Sequence, residues 1–168
     1  MDASSSQPTP STTAFAPRWE WRTFGPSLVA KERVFATPEA VQESDEVYLL
    51  SEAGTEEAAG TQSAKIRDGL IDIKTLREVD ARGLEQWTPT MKEPFPLAAD
   101  DVRRVFAALQ IEPPSLERSE YSMDQFLDEL MTPADGVRVT RVHKLRRRYT
   151  VEGAMSEVSD VDADGQKT

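Results

Sequence analysis

The sequence predicts an α+β fold: a mostly antiparallel β-barrel, tunnel-like, incomplete at the C-terminus, with about two helices packed outside. Three observations predict it. Most of the chain between residues 18 and 161 reads as strands, and only two stretches carry helix signals. Neighbouring strands are mostly joined by short turns, which favours antiparallel pairing. Several strands put apolar side chains on one face and charged ones on the other. In a sandwich that charged face would meet bulk water; in a barrel with a polar lumen it points inward. With 168 residues the chain suffices for one domain with a real core.

The elements follow in order. Residues 1–16 are rich in Ser, Thr and Pro, with Met1 and Phe15 as their only large apolar side chains. They bury too little to offset ordering entropy, so a disordered tail is expected. Arg18 to Phe24 alternates, with Trp19, Trp21 and Thr23 on one face and Arg18, Glu20 and Arg22 on the other. Thr37-Pro38-Glu39 reads as a helix start, with Thr as N-cap and Pro at the first helical position, for a helix ending near Ser44. Glu46 to Ser51 is β-rich and Thr55 to Thr61 a loop. Ala64 to Asp68 and Leu70 to Leu76 form a hairpin around Asp68-Gly69.

A linker punctuated by Pro89, Pro94 and Pro96 follows. Ala98 to Gln110 carries Val102, Val105, Phe106 and Leu109 at helical spacing, with Asp100 and Asp101 in the first turn. Leu116 to Leu127 reads as a strand, with Asp128 to Leu130 open to helix, and Pro133 to Gly136 as a turn. Gly136 to Val151 is a long strand and Met155 to Val161 another, about seven strands in all. The closing Asp-Gly-Gln-Lys-Thr reads as a turn opening toward a further segment, so 17–163 is taken as the domain and 164–168 as a tail or truncation point.

Composition narrows the function. Thirty acids against 20 basic residues give a net charge of −10, which argues against general nucleic-acid binding but not against a local basic site. The absence of cysteine excludes disulfides, thiolate metal sites and a cysteine nucleophile. The longest apolar run, Val105 to Leu109, falls far short of the roughly 20 residues that span a bilayer, and the N-terminus has no secretory pattern. A soluble cytoplasmic protein is expected, with no membrane partner. No phosphate-binding Gly-x-x-x-x-Gly-Lys-Ser/Thr loop is present. His143, the only histidine, falls opposite Lys144, Arg146 and Arg148 and is read as structural or surface. Trp19, Trp21 and Trp87 are read as core anchors.

The charged faces carry the functional signal. Lys65 and Arg67 alternate with Ala64 and Ile66; Asp72 and Lys74 alternate with Ile71 and Ile73. Val137 to Tyr149 holds six basic residues and no acid, in a protein that is acidic overall. Cations two residues apart on a strand repel one another; a polyanion between them turns that repulsion into binding. Carboxylates beside them, such as Glu20, Asp72, Glu157 and Asp160, suit Mg²⁺ or Mn²⁺.

Arg18-x-Glu20-x-Arg22, Lys65-x-Arg67, Asp72-x-Lys74 and Lys144-x-Arg146-x-Arg148, in that order, resemble the CYTH domain, the family also called triphosphate tunnel metalloenzymes. The runs SAKIRDGLIDIK and HKLRRRYTVEG carry most of the resemblance, which spans roughly residues 18–163. It implies an eight-stranded antiparallel barrel whose tunnel binds a linear triphosphate, inorganic or organic, with hydrolysis assisted by Mg²⁺ or Mn²⁺. Carried over residue by residue, Arg22, Lys65, Arg67, Lys74, Lys144, Arg146 and Arg148 would bind phosphates. Glu20 would be the metal ligand of the first strand, and Glu157 or Asp160 would add a carboxylate from the strand after the basic one. The family opens on Glu-x-Glu-x-Lys; here Arg18 stands at the first acidic position, and a guanidinium cannot ligate a metal. The phosphate-binding set is therefore more complete than the metal set, and a non-catalytic polyphosphate- or nucleotide-binding module is the alternative. An adenylate cyclase and an RNA-contacting domain rank below both.

Overall fold

The computed structural model describes residues 17–25, 32, 35, 37–52 and 61–167. The expected tail over residues 1–16 and most of the expected loop before Thr61 lie outside them. Ten strands are present among the described residues: β1 (Arg18–Glu20), β2 (Ala40–Ser51), β3 (Gln62–Arg67), β4 (Leu70–Val79), β5 (Glu85–Pro94), β6 (Leu97–Ala98), β7 (Glu120–Tyr121), β8 (Val137–Val151), β9 (Ala154–Ala163) and β10 (Gln166–Lys167). Eight form one sheet in the order β1-β5-β4-β3-β2-β8-β9-β10; β6 and β7 pair separately. Every pairing is antiparallel. The sheet is not closed, so the architecture is an open antiparallel sheet with helices against one face.

Alternation builds the sheet, and the core occupies one face. Leu49, Ala64, Ile66, Ile71, Ile73 and Met91 form that face, and helix α1 (Ala99–Leu109) lays Val102, Val105, Phe106 and Leu109 into the same cluster. Fully burying an Ile such as Ile71 contributes about 1.5–3 kcal/mol. The β3–β4 hairpin turns on Asp68-Gly69, whose φ angles of 53° and 70° are the two positive values a two-residue type I′ turn requires. No helix among the described residues is long and apolar enough to cross a membrane.

Four expectations are corrected. No helix starts at Thr37: residues 40–51 are strand β2, paired with β8 from Ala40↔Arg148 to Ser51↔Val137. That ladder outweighs the local capping signal. The proline-punctuated linker is strand β5. β1 pairs only Glu85 to Trp87, so Pro89 and Pro94 lie where β5 has no second neighbour and no missing N–H is felt. Leu116 to Leu127 contributes only the two-residue β7 as strand. Ser122 and Gln125 exchange capping-box hydrogen bonds, opening the short helix α2 (Met123–Gln125), which continues as a π-helix over Phe126–Met131. Its Phe126, Leu127, Leu130 and Met131 complete the core.

Trp19 and Trp21 are 46% and 63% exposed, not core anchors, whereas Trp87 is buried. A bulge between Ile73 and Lys74 separates Trp87 from Met91: Met91 pairs with Ile73 in the core, while Trp87 pairs with Leu76 on the same face as Lys74.

Candidate anion-binding site

The other face of the sheet is charged, and register decides its membership. Glu46 pairs with Arg67, Tyr48 with Lys65, and Lys65 in turn with Asp72. Across the β2–β8 seam Ser44 pairs with Lys144 and Gln42 with Arg146; across β8–β9 Arg146 pairs with Ser159 and Arg148 with Glu157. Directly paired residues project to the same side, so β3, β2, β8 and β9 present one continuous strip.

Glu46 lies at its centre, only 2% exposed. Lys65 Nζ is 3.5 Å from Oε2, Lys144 Nζ 3.6 Å from Oε2 and Arg67 Nη1 3.5 Å from Oε1; Arg146 Nη2 donates to Oε1. Burial alone would raise the Glu46 carboxyl, but Lys65, a hydrogen bond with Tyr48, Lys144 and Arg146 outweigh it and bring it from 4.5 down to about 2. Burial likewise lowers the Lys65 and Lys144 ammonium groups, with Glu46 opposing the shift. Tyr48 is pushed up by burial and by the adjacent Glu46 charge, and its hydroxyl accepts a 2.7 Å bond from Lys144 Nζ.

Arg146 is 4% exposed and reaches a second carboxylate, Glu157, through Nε at 3.4 Å. Arg148 Nε holds the same Glu157 at 3.2 Å. Arg146 Nη1 has no hydrogen-bond partner, and neither has Ser44 Oγ; these are the two buried side-chain polar atoms so placed among the described residues.

The remaining sequence-predicted cations gather beside this cluster. Lys74 Nζ is 3.3 Å from Glu20 Oε1. Arg22 pairs with Glu20 at 3.6 Å and Glu85 at 3.0 Å, and stacks over Trp87 with its guanidinium carbon 5.2 Å from the ring centre. A cavity of about 320 Å³ is lined by Arg22, Glu85 and Trp87 of this second group and by Tyr48 of the first. A larger cavity of about 490 Å³ opens near the β3–β4 and β9–β10 turns. Asp45, Glu46, Asp68, Asp162 and Asp164 line it together with Arg67, Arg141 and His143, so it adjoins the Glu46 cluster and carries more acid than base.

The carboxylates proposed for metal do not converge. Glu20 is engaged by Lys74 and Arg22, and Glu157 by Arg146 and Arg148. Asp160 pairs with Leu145 on the opposite face, where Arg147 Nη1 holds it at 2.9 Å. Among the described residues no group of three or more His, Asp or Glu side chains is placed to hold a metal ion. As placed, Glu20, Glu157 and Asp160 do not form one donor set for the divalent cation that the resemblance implies.

His143 takes the place its parity requires, on the face opposite Lys144. Nδ1 lies 2.8 Å from Asp45 and Nε2 2.9 Å from Glu43. Sequence reasoning missed Glu46 and Ser44. The available signal for Glu46 was its parity with Tyr48, opposite Val47 and Leu49. Comparisons with protein-family models and with curated proteins give no match to this chain.

Proposed function

We propose that the charged face binds a short linear polyphosphate, a triphosphate or the triphosphate moiety of an organic molecule. The observation that carries this reading is Glu46, a buried carboxylate ringed by Lys65, Arg67, Lys144 and Arg146. Glu46, with Glu157 beside Arg146 and Asp68 beside Arg67, still leaves one more cation than carboxylate among them, and their shared face suits an extended anion. Arg148, Lys74 and Arg22 extend the positive strip on either side. On this reading the face is one wall of a tunnel-like cleft; the near-complete burial of charged Glu46 and Arg146 supports the enclosure.

Calorimetric titration with sodium tripolyphosphate in EDTA tests the proposal. Saturable binding that weakens with added salt and falls at least tenfold in Lys65→Ala/Arg67→Ala is expected. No binding by the wild type, or binding unchanged in the double variant, overturns it. Hydrolysis of the same chain is a second reading, favoured by Arg146 and Arg148, guanidiniums that would stabilise charge on a transferring phosphoryl group and that Glu157 holds in place. It is measured in the same preparation as phosphate release with Mg²⁺ or Mn²⁺. Release that is lost in Glu157→Gln supports turnover; none leaves binding alone.

A further inference from the structure

We infer that Ser44 and Arg146 form a seat for a single terminal phosphoryl group; this rests on the polyphosphate reading above and fixes one end of the bound chain. Ser44 Oγ and Arg146 Nη1 are buried without partners, an arrangement natural proteins seldom leave unfilled. Both side chains lie on the charged face of adjacent strands. Ser44 pairs with Lys144 and Arg146 follows two positions later, so they are diagonal neighbours with backbones about 7–8 Å apart. Both atoms are closed off from solvent, so a tetrahedral oxyanion accepts from both by parting the two side chains.

The chemistry of the two groups selects an acceptor. A guanidinium nitrogen can only donate, and a hydroxyl donates readily to a charged oxygen. Arg146 already donates Nη2 to Glu46, and its Nε faces Glu157 at 3.4 Å, which leaves Nη1 as the donor aimed at something else. Lys144 stands directly across from Ser44, and Arg148 lies beyond Arg146 on the same face, so three cations against the two carboxylates Glu46 and Glu157 border the position. A terminal phosphoryl group carries more charge and more free oxygens than one inside a chain, and fits this concentration of donors better. From Ser44 the chain then runs along β2 past Glu46 toward Tyr48.

Ser44→Ala separates the roles of the hydroxyl, because deleting an unpartnered buried hydroxyl is neutral or stabilising while deleting a ligand contact weakens binding. The full chain, wild type and variant, is titrated with tripolyphosphate and with orthophosphate in EDTA, and both are melted without ligand. Expected are about tenfold weaker binding of both anions by Ser44→Ala, an unchanged or higher melting temperature, and recovery in Ser44→Thr. Equal affinities in wild type and Ser44→Ala overturn the seat and leave the polyphosphate reading standing. Ser44-dependent binding of orthophosphate without tripolyphosphate binding upholds the seat and overturns the longer-chain reading. A wild type that binds neither anion overturns both.

Discussion

The two faces of the β3–β4 hairpin are made of neighbouring residues and obey opposite rules. Ala64, Ile66, Ile71 and Ile73 are at most 3% exposed and pack against α1 and the π-helix. Between them Lys65 and Asp72 face the other way, toward a centre where Glu46 and Arg146 are as well hidden as the isoleucines. Burial alone therefore does not distinguish the faces. On the apolar face, removal from water is itself stabilising. On the charged face it costs desolvation, which the cations outweigh at Glu46 but which prevails over Glu46 at Lys65 and Lys144, so such a cluster is weak evidence for stability and stronger evidence for a ligand.

The sharpest way to break this contrast is Glu46→Gln. Removing the shared anion leaves four cations facing one another, and unfolding by urea should show a loss of about 4 kcal/mol. Tripolyphosphate should recover much of it; a variant as stable as the wild type would show that the face is not organised on Glu46. The same carboxyl gives an acid test. Its folded pKa is depressed from 4.5 to about 2, so its stabilisation is whole above pH 4.5 and is lost as pH falls toward 2. The stability gap between wild type and Glu46→Gln should narrow by about 3 kcal/mol across that window.

Ile73→Ala is the counterpart on the apolar face, 1% exposed in the wild type. A loss of about 3 kcal/mol is expected from transfer and cavity terms. Its tripolyphosphate affinity should match the wild type, and a changed affinity would couple faces that the account keeps separate. Arg148→Ala should do the reverse: stability within about 1 kcal/mol of wild type, because the Glu157 pair is partly exposed, but binding about tenfold weaker by calorimetry.

The smallest effect belongs to His143→Gln, outside both regions. Both ring nitrogens face carboxylates, which only the imidazolium can satisfy by donating twice. The hydrogen bond to Asp45 raises its pKa above 6.5, so its small stabilisation is whole below pH 6.5 and disappears as pH rises through the raised value. The difference in melting temperature between wild type and variant should shrink over that rise; a difference independent of pH would show that His143 acts through packing.

What was legible in the sequence was local. The β3–β4 hairpin follows from strict alternation and Asp68-Gly69, and α1 from the spacing of Val102, Val105, Phe106 and Leu109. The parity of His143 could also be read directly. Partnering was not legible. Thr37-Pro38 is a sound helix start, overruled by a twelve-residue ladder with a strand a hundred residues away. Pro89 argues against a strand until β1 proves too short to pair there. Trp19 and Trp21 look like a buried face, but β1 is three residues long at the sheet edge.

Asp160 was decidable in advance: it is three residues from Glu157, and on a strand an odd separation puts two side chains on opposite faces. Glu46 could be placed on the face of Tyr48, but not at the meeting point of Lys65, Arg67, Lys144 and Arg146. That convergence depends on β3 and β8 flanking β2.

The most direct measurement is a crystal structure of the full chain soaked with tungstate or tripolyphosphate in EDTA. Anion density is expected on the charged face, within hydrogen-bonding distance of Arg146 and Lys144 and extending toward Lys65 and Arg67. Density confined to other surfaces, or a face whose cations remain closed on Glu46 at saturating anion, would contradict it.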